Sequence, residues 1–144
     1  MRMNHVGISV RDIDRSIAFY REMFGMVQDC EVFAFGGPQF SGVMGLTDAA
    51  GRMCMMTGGD VSLELFEFAQ PAPRPKDPRY PVADHGYSHF GFAVDGIDEV
   101  YARLSAAGVH FHCPVTMFPG GMKATYGRDP DGNVFELLER VPAG

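Results

Sequence analysis

A hexapeptide near the start of the chain, His5-Val6-Gly7-Ile8-Ser9-Val10, returns 84 residues later as His89-Phe90-Gly91-Phe92-Ala93-Val94. The match runs on through Ile13-Asp14 against Ile97-Asp98 and Ala18 against Ala102, and a glycine closes each segment, at Gly25 and Gly108. A chain that repeats itself at this period is built from two copies of one supersecondary unit. Both copies open with strand alternation: Val6, Ile8 and Val10 share one face while His5, Gly7 and Ser9 share the other, and Phe90, Phe92 and Val94 oppose His89, Gly91 and Ala93. A face that carries one histidine followed by small residues leaves open space in front of the imidazole.

A helix follows each first strand. Asp12 or Asp14 caps the first, and Asp95 or Asp98 the second. The apolar stripes are Ile13, Ile17, Tyr20 and Phe24, then Ile97, Val100, Tyr101 and Leu104, with Gly25 and Gly108 as left-handed stops. Each half ends in a strand of like pattern, Val61-Ser62-Leu63-Glu64-Leu65-Phe66-Glu67 and Val134-Phe135-Glu136-Leu137-Leu138-Glu139. Asp129-Pro130-Asp131-Gly132-Asn133 is a turn signal that returns the chain into the last strand as a hairpin. Between the halves, residues 70–86 carry Pro71, Pro73, Pro75, Pro78 and Pro81 without periodicity, which reads as an extended linker. The expected organisation is a single 144-residue domain, with a first module over residues 1–69 and a second over 87–144.

If the modules pack with pseudo-twofold symmetry, each contributes one strand that begins with His and one that carries a central Glu. A carboxylate within an apolar strand is costly unless it is paired or coordinating. Glu64 shares a face with Ser62 and Phe66, whereas Glu67 has the opposite parity near the strand's end, where solvent is its expected surrounding; Glu136 and Glu139 repeat the choice. His5, Glu64, His89 and Glu136 are therefore the expected ligands of one divalent transition metal, Ni, Co, Zn, Mn or Fe. Four protein ligands on an octahedral ion leave two positions for water or substrate. His110 and His112 share a strand face around Phe111 and read as exposed strand, and His85 lies in the linker. Glycine pairs at Gly36-Gly37, Gly58-Gly59 and Gly120-Gly121 lack the following helix and lysine of a phosphate cradle.

Composition narrows the partners. Apolar residues make up 46% and charged residues 21%, a globular balance, and no run approaches the roughly 20 apolar residues that span a bilayer. Net charge is −6 with scattered basic residues, so neither nucleic acid nor an anionic membrane is an expected partner; a small molecule is. Cys30, Cys54 and Cys113 are odd in number and widely spaced, which suggests reduced, buried thiols and a cytoplasmic home. The residues ahead of the first strand lack the basic segment, apolar core and small-residue cleavage site of a secretory signal, so a native start is the expectation.

On these residues, most specifically the two His-initiated repeats and Asp129-Pro130-Asp131-Gly132-Asn133-Val134-Phe135-Glu136-Leu137, the chain resembles the vicinal oxygen chelate superfamily. That superfamily includes glyoxalase I, methylmalonyl-CoA epimerase, extradiol dioxygenases and bleomycin resistance proteins. The resemblance implies an α+β fold of two tandem βαβββ modules with curled mixed sheets enclosing a metal cavity, ligands at His5, Glu64, His89 and Glu136, and a homodimer. With two His and two Glu the chain looks like the glyoxalase and epimerase branch, where Glu136 or Glu64 is the base that shuttles a proton beside a carbonyl. Ser9 and Phe68 stand where glutathione-using members similar to this chain carry polar contacts, which points away from a glutathione conjugate. Two other readings compete: an Fe(II)-dependent extradiol-type dioxygenase and a non-catalytic binding protein. Met55, with Met53 and Met56, reads as an adaptable lining to which Met117 and Met122 add, and Phe66, Lys123 and Tyr126 are expected to face the metal.

Overall fold

The computed structural model describes residues 3–74 and 76–141. Two compact units emerge, Met1–Pro75 and Lys76–Gly144.

The first unit runs β1 (His5–Ser9), α1 (Ile13–Phe24), β2 (Val27–Gln28), β3 (Phe33–Gly36), α2 (Pro38–Met44), β4 (Ala50–Gly58) and β5 (Val61–Gln70). In the second come β6 (Phe90–Ala93), α3 (Ile97–Ala106), β7 (His110–Phe111), β8 (Thr116–Phe118), β9 (Met122–Arg128) and β10 (Val134–Arg140). The sheet orders are the same in both: β1-β5-β4-β2 with β3 also on β4, and β6-β10-β9-β7 with β8 also on β9. The first strand pairs parallel to the last and every other pair is antiparallel, so the sheets are mixed. They are open rather than closed, and each presents a face. In each unit one edge strand is broken in two, β2 with β3 and β7 with β8, which is how a βαβββ module comes to hold five strands. The repeat read from the sequence is thus a repeat of topology.

Alternation decides which face is core. On β5, Leu63 and Leu65 are buried towards α1, and on β10 Phe135 and Leu137 occupy the same places. Ile13, Ile17 and Tyr20 of α1 and Ile97 and Leu104 of α3 close these cores, as their helical stripes require. Each such large apolar side chain, once fully buried, contributes on the order of 1.5–3 kcal/mol.

The helix starts correct one expectation. Asp12 does cap α1, accepting from Arg15 N at 3.0 Å, but α3 begins at Gly96 with no side-chain cap from Asp95 or Asp98. The free N–H groups of α3 are met instead by Glu139, which accepts from Gly96 N at 2.8 Å and Ile97 N at 3.1 Å. Glu67 does the same in its unit, accepting from Ile13 N at 2.8 Å and from Arg52 Nη2 at 2.7 Å. The second glutamate of each terminal strand is therefore not left to solvent. It anchors the helix of its own module, where the positive end of the helix dipole favours a carboxylate. At the other end, Gly25 is the left-handed cap of α1, while α3 stops at Ala107 and Gly108 follows with φ +87°.

Both carboxyls are held below the usual carboxylate range. For Glu67 the Arg52 hydrogen bond leads, with Ile13 N assisting against partial burial; for Glu139 the Gly96 and Ile97 amides lead. A group whose pKa is lower folded than unfolded stabilises the fold above its unfolded value, about 4.3 for Glu, and loses that contribution as pH falls through the folded value. Glu67→Gln is accordingly expected to lower stability at pH 7 by about 1 kcal/mol. In urea titrations its deficit relative to the unsubstituted protein should shrink between about pH 5 and pH 3.

The proline-rich stretch is tied down where it enters the second unit; Pro75 lies outside the described residues. Tyr80 is buried, its ring beneath Lys76 Nζ at 3.4 Å and its carbonyl accepting from Arg128 Nη2 at 2.7 Å. The Asp129–Asn133 turn behaves as read: the buried Asp129 carboxylate accepts from Asp131 N, Asn133 N and Asn133 Nδ2 at 2.8–2.9 Å. Among the described residues no helix is long and apolar enough to cross a membrane.

Candidate metal-binding face of each module

In the first unit the β1–β5 register sets His5 beside Ser62, Gly7 beside Glu64 and Ser9 beside Phe66, on the sheet face opposite Leu63 and Leu65. His5 Nε2 lies 3.3 Å from Glu64 Oε2, with the two side chains 41% and 19% exposed. Gly7 keeps the space over the carboxylate open: a Cβ there would stand in ordinary contact, 3.8 Å from Glu64 Oε2 and 3.7 Å from Phe66 Cε2, and anything larger would enter that space. The other ring nitrogen, Nδ1, meets Asn4 Oδ1 at 2.9 Å.

The second unit repeats the arrangement. Gly91 pairs with Glu136, and a Cβ at Gly91 would meet Glu136 Oε2 at 3.5 Å. His89, one residue ahead of β6, has Nε2 3.5 Å from Glu136 Oε2 and Nδ1 3.0 Å from Ser88 Oγ. Tyr126 stands directly across from Glu136 on β9. Its hydroxyl is 3.4 Å from His89 Nε2 and the two rings are 4.6 Å apart. Burial, then the Glu136 charge, raises the phenol above its ordinary value.

What separates Glu64 and Glu136 from Glu67 and Glu139 is their company. Among the described residues the first two face an imidazole and no Lys, Arg or backbone N–H. A half-buried carboxylate without a cation is a donor set with lone pairs to spare, and imidazole nitrogen plus carboxylate oxygen suits a divalent transition metal. Among the described residues, neither unit taken by itself gathers three or more His, Cys, Asp or Glu side chains that could hold a metal. Each supplies a pair.

The remaining expectations divide. Met55 lies across from Glu64 and shares its face; Phe66 does too, edge-on to Phe35 and stacked on Phe68, both at 5.6 Å. Tyr126 joins the His89–Glu136 pair. Lys123 does not: it pairs across from Glu139 on the helix-side face and binds Asp98 of α3. Positions 123 and 126 differ by an odd number, so one β-strand cannot turn both side chains the same way. Met53 and Met56 are core, and Met117 is exposed rather than lining. His110, His112 and His85 are exposed, as read. Asn4 and Ser88 escaped the sequence reading, although the repeat aligns them as the polar residue preceding each histidine.

Of the three cysteines only Cys54 is buried; Cys30 and Cys113 are exposed, because the broken edge strands carry both out of the sheets. Burial pushes the Cys54 thiol up to about 11. A disulfide-exchange reagent at pH 8 is expected to titrate Cys30 and Cys113 in the native protein and Cys54 only after denaturant is added, since the thiolate is the reacting form.

Comparison with known proteins agrees with this architecture. The profile of the Glyoxalase/Bleomycin resistance protein/Dioxygenase superfamily matches residues 2–137. A 2-epi-5-epi-valiolone epimerase from Actinomyces sp is 31% identical, covering 99% of this chain and 80% of that one. A lactoylglutathione lyase from Schizosaccharomyces pombe is 29% identical over 96% of this chain, which spans 47% of the lyase. The crystal structure of a glyoxalase family protein from Bacillus cereus superposes with a TM-score of 0.88 at 27% identity, covering 99% and 95% of the two chains.

Proposed function

Because the chain belongs to the Glyoxalase/Bleomycin resistance protein/Dioxygenase superfamily, we propose that it is a divalent-metal-dependent lyase or isomerase that moves a proton beside the carbonyl of a small substrate. His5, Glu64, His89 and Glu136 are its metal ligands in this reading. The observation that carries it is duplication: both modules set an imidazole Nε2 within 3.3–3.5 Å of a carboxylate oxygen, at matching places on matching sheets, with a glycine beside each. Superfamily members generally use divalent metals, and relatives named as a lyase and an epimerase fit proton transfer.

A metal there supplies Lewis acidity at a carbonyl or neighbouring oxygen. The protein's own groups do the rest. Glu136, or its counterpart Glu64, takes and returns the proton, since neither is locked by an Arg or a helix terminus as Glu67 and Glu139 are. Phe66 and Met55 provide an apolar border beside Glu64, and the Tyr126 hydroxyl offers a hydrogen bond beside Glu136. The enzyme is proposed to be a cytoplasmic homodimer, which light scattering checks as twice the 15.8 kDa chain mass.

The test is elemental analysis of protein purified without chelator or tag-derived metal, followed by NMR in D2O with a panel of small carbonyl compounds and the metal restored. About one Ni, Co, Zn or Mn per site, with deuterium entering the position next to a carbonyl, is the expected result. Iron with oxygen uptake on catechols would replace the reading by ring-opening oxygenation. Failure to bind any metal after reloading would leave a binding protein on the same fold.

A further inference from the structure

Both histidines of the proposed site make their best hydrogen bond away from it. His5 Nδ1 is 2.9 Å from Asn4 Oδ1 and His89 Nδ1 is 3.0 Å from Ser88 Oγ, both at ordinary hydrogen-bond length. On the other side of each ring, Nε2 stands 3.3 and 3.5 Å from a glutamate oxygen, well beyond the 2.7–2.9 Å of a charge-assisted bond. An amide oxygen only accepts, so His5 Nδ1 is the donor to Asn4. A neutral ring that gives its proton at Nδ1 keeps a lone pair on Nε2, and the lone pair points towards the carboxylate. In that form two electron-rich atoms, His5 Nε2 and Glu64 Oε2, face each other across 3.3 Å, an arrangement that a cation between them resolves. At His89 the Tyr126 hydroxyl lies 3.4 Å from Nε2, within reach to donate to a lone pair there.

We propose that Asn4 and Ser88 are positioning residues that hold His5 and His89 in the Nδ1–H form, with Nε2 presented as a ligand. The proposal rests on the metal-site reading above. The contact occurs in both modules, each from the residue immediately before the histidine: the Asn4 amide oxygen can only accept from Nδ1, and the Ser88 hydroxyl takes the same place beside His89. An outer partner on the second ring nitrogen fixes tautomer and ring angle and raises ligand basicity, and losing one typically costs 10- to 100-fold in metal affinity.

The experiment has two readouts. In metal-free, 15N-labelled protein, long-range proton–nitrogen correlations report which ring nitrogen carries hydrogen. His5 and His89 should show Nδ1–H, and Asn4→Leu and Ser88→Ala should each shift only their own histidine towards Nε2–H, the form left with a glutamate acceptor. Co2+ titration of the same proteins should then show affinity lower by about 10- to 100-fold in each variant, restored by Asn4→Asp and Ser88→Thr, with unchanged thermal melting. Unaltered tautomers and unaltered Co2+ affinity in Asn4→Leu and Ser88→Ala would overturn the proposal while leaving the metal site standing. Should the unsubstituted protein bind no Co2+ at all, the proposed function falls instead, and the tautomers of the metal-free protein still decide the role of Asn4 and Ser88.

Discussion

Replacing Glu136 by Gln is expected to abolish turnover and reduce metal affinity by more than about 100-fold while the protein stays folded; Glu139→Gln, three residues along the same strand, is expected to keep the metal. The first estimate follows from scale. Loss of an outer partner of a ligand already costs 10- to 100-fold, so loss of the ligand itself exceeds that, and loss of a positioned base removes a further 10²–10⁴ in rate. The contrast follows from the surroundings. Glu136 faces His89 Nε2 at 3.5 Å with no Lys or Arg among the described residues, whereas Glu139 holds the amides of the Gly96 cap and of Ile97, the first residue of α3. Metal titration of both variants with circular dichroism as the fold control decides the matter. Equal metal binding by Glu136→Gln and the unsubstituted protein would remove Glu136 from the ligand set.

The largest expected loss of stability comes from Phe135→Ala, about 3–5 kcal/mol by the cost of truncating a fully buried aromatic ring. Phe135 has no exposed surface, and its ring fills the space a side chain at Gly127 would take: a Cβ there would lie 2.4 Å from Phe135 Cζ and 3.0 Å from Phe111 Cε1. Phe111 and Phe92 meet it edge-on at 5.9 and 6.3 Å. Gly127 has no side chain with which to fill that space, so the cost is expected within that range. Chemical denaturation at pH 7 measures it. A deficit under about 1.5 kcal/mol would mean that β9 closes onto α3 when the ring is gone.

How much of this was legible follows from how far apart the interacting residues lie. The repeat, both first strands, both helical stripes and the last hairpin depend on neighbours within a few residues, and the sequence carries that information in period and turn chemistry. The pairing of His5 with Glu64 and His89 with Glu136 was reached by matching one module against the other, which turns weak single positions into a pattern. The helix anchors were not reached, because Glu67 meets Ile13 across 54 residues and Glu139 meets Gly96 across 43. Nothing local to either glutamate distinguishes it from an exposed strand end. Lys123 was placed on the wrong face for want of the register that strand pairing alone fixes. The helix Pro38–Met44 had readable bounds in Pro38 and the left-handed Gly45, but its seven residues are too few for a stripe to stand out.

Pairing the first strand of each module parallel to its last has a consequence for the order of assembly. The β4–β5 and β9–β10 hairpins join strands adjacent in sequence and form on the microsecond scale, whereas β1 and β6 must close a loop of nearly a whole module to reach β5 and β10. The glutamates are thus expected to be in place on finished hairpins before the histidines arrive on the strands that dock last. If the metal is bound as proposed above, its capture is expected to latch this final docking step, with a slower unfolding rate and little change in the rate of folding as the kinetic mark.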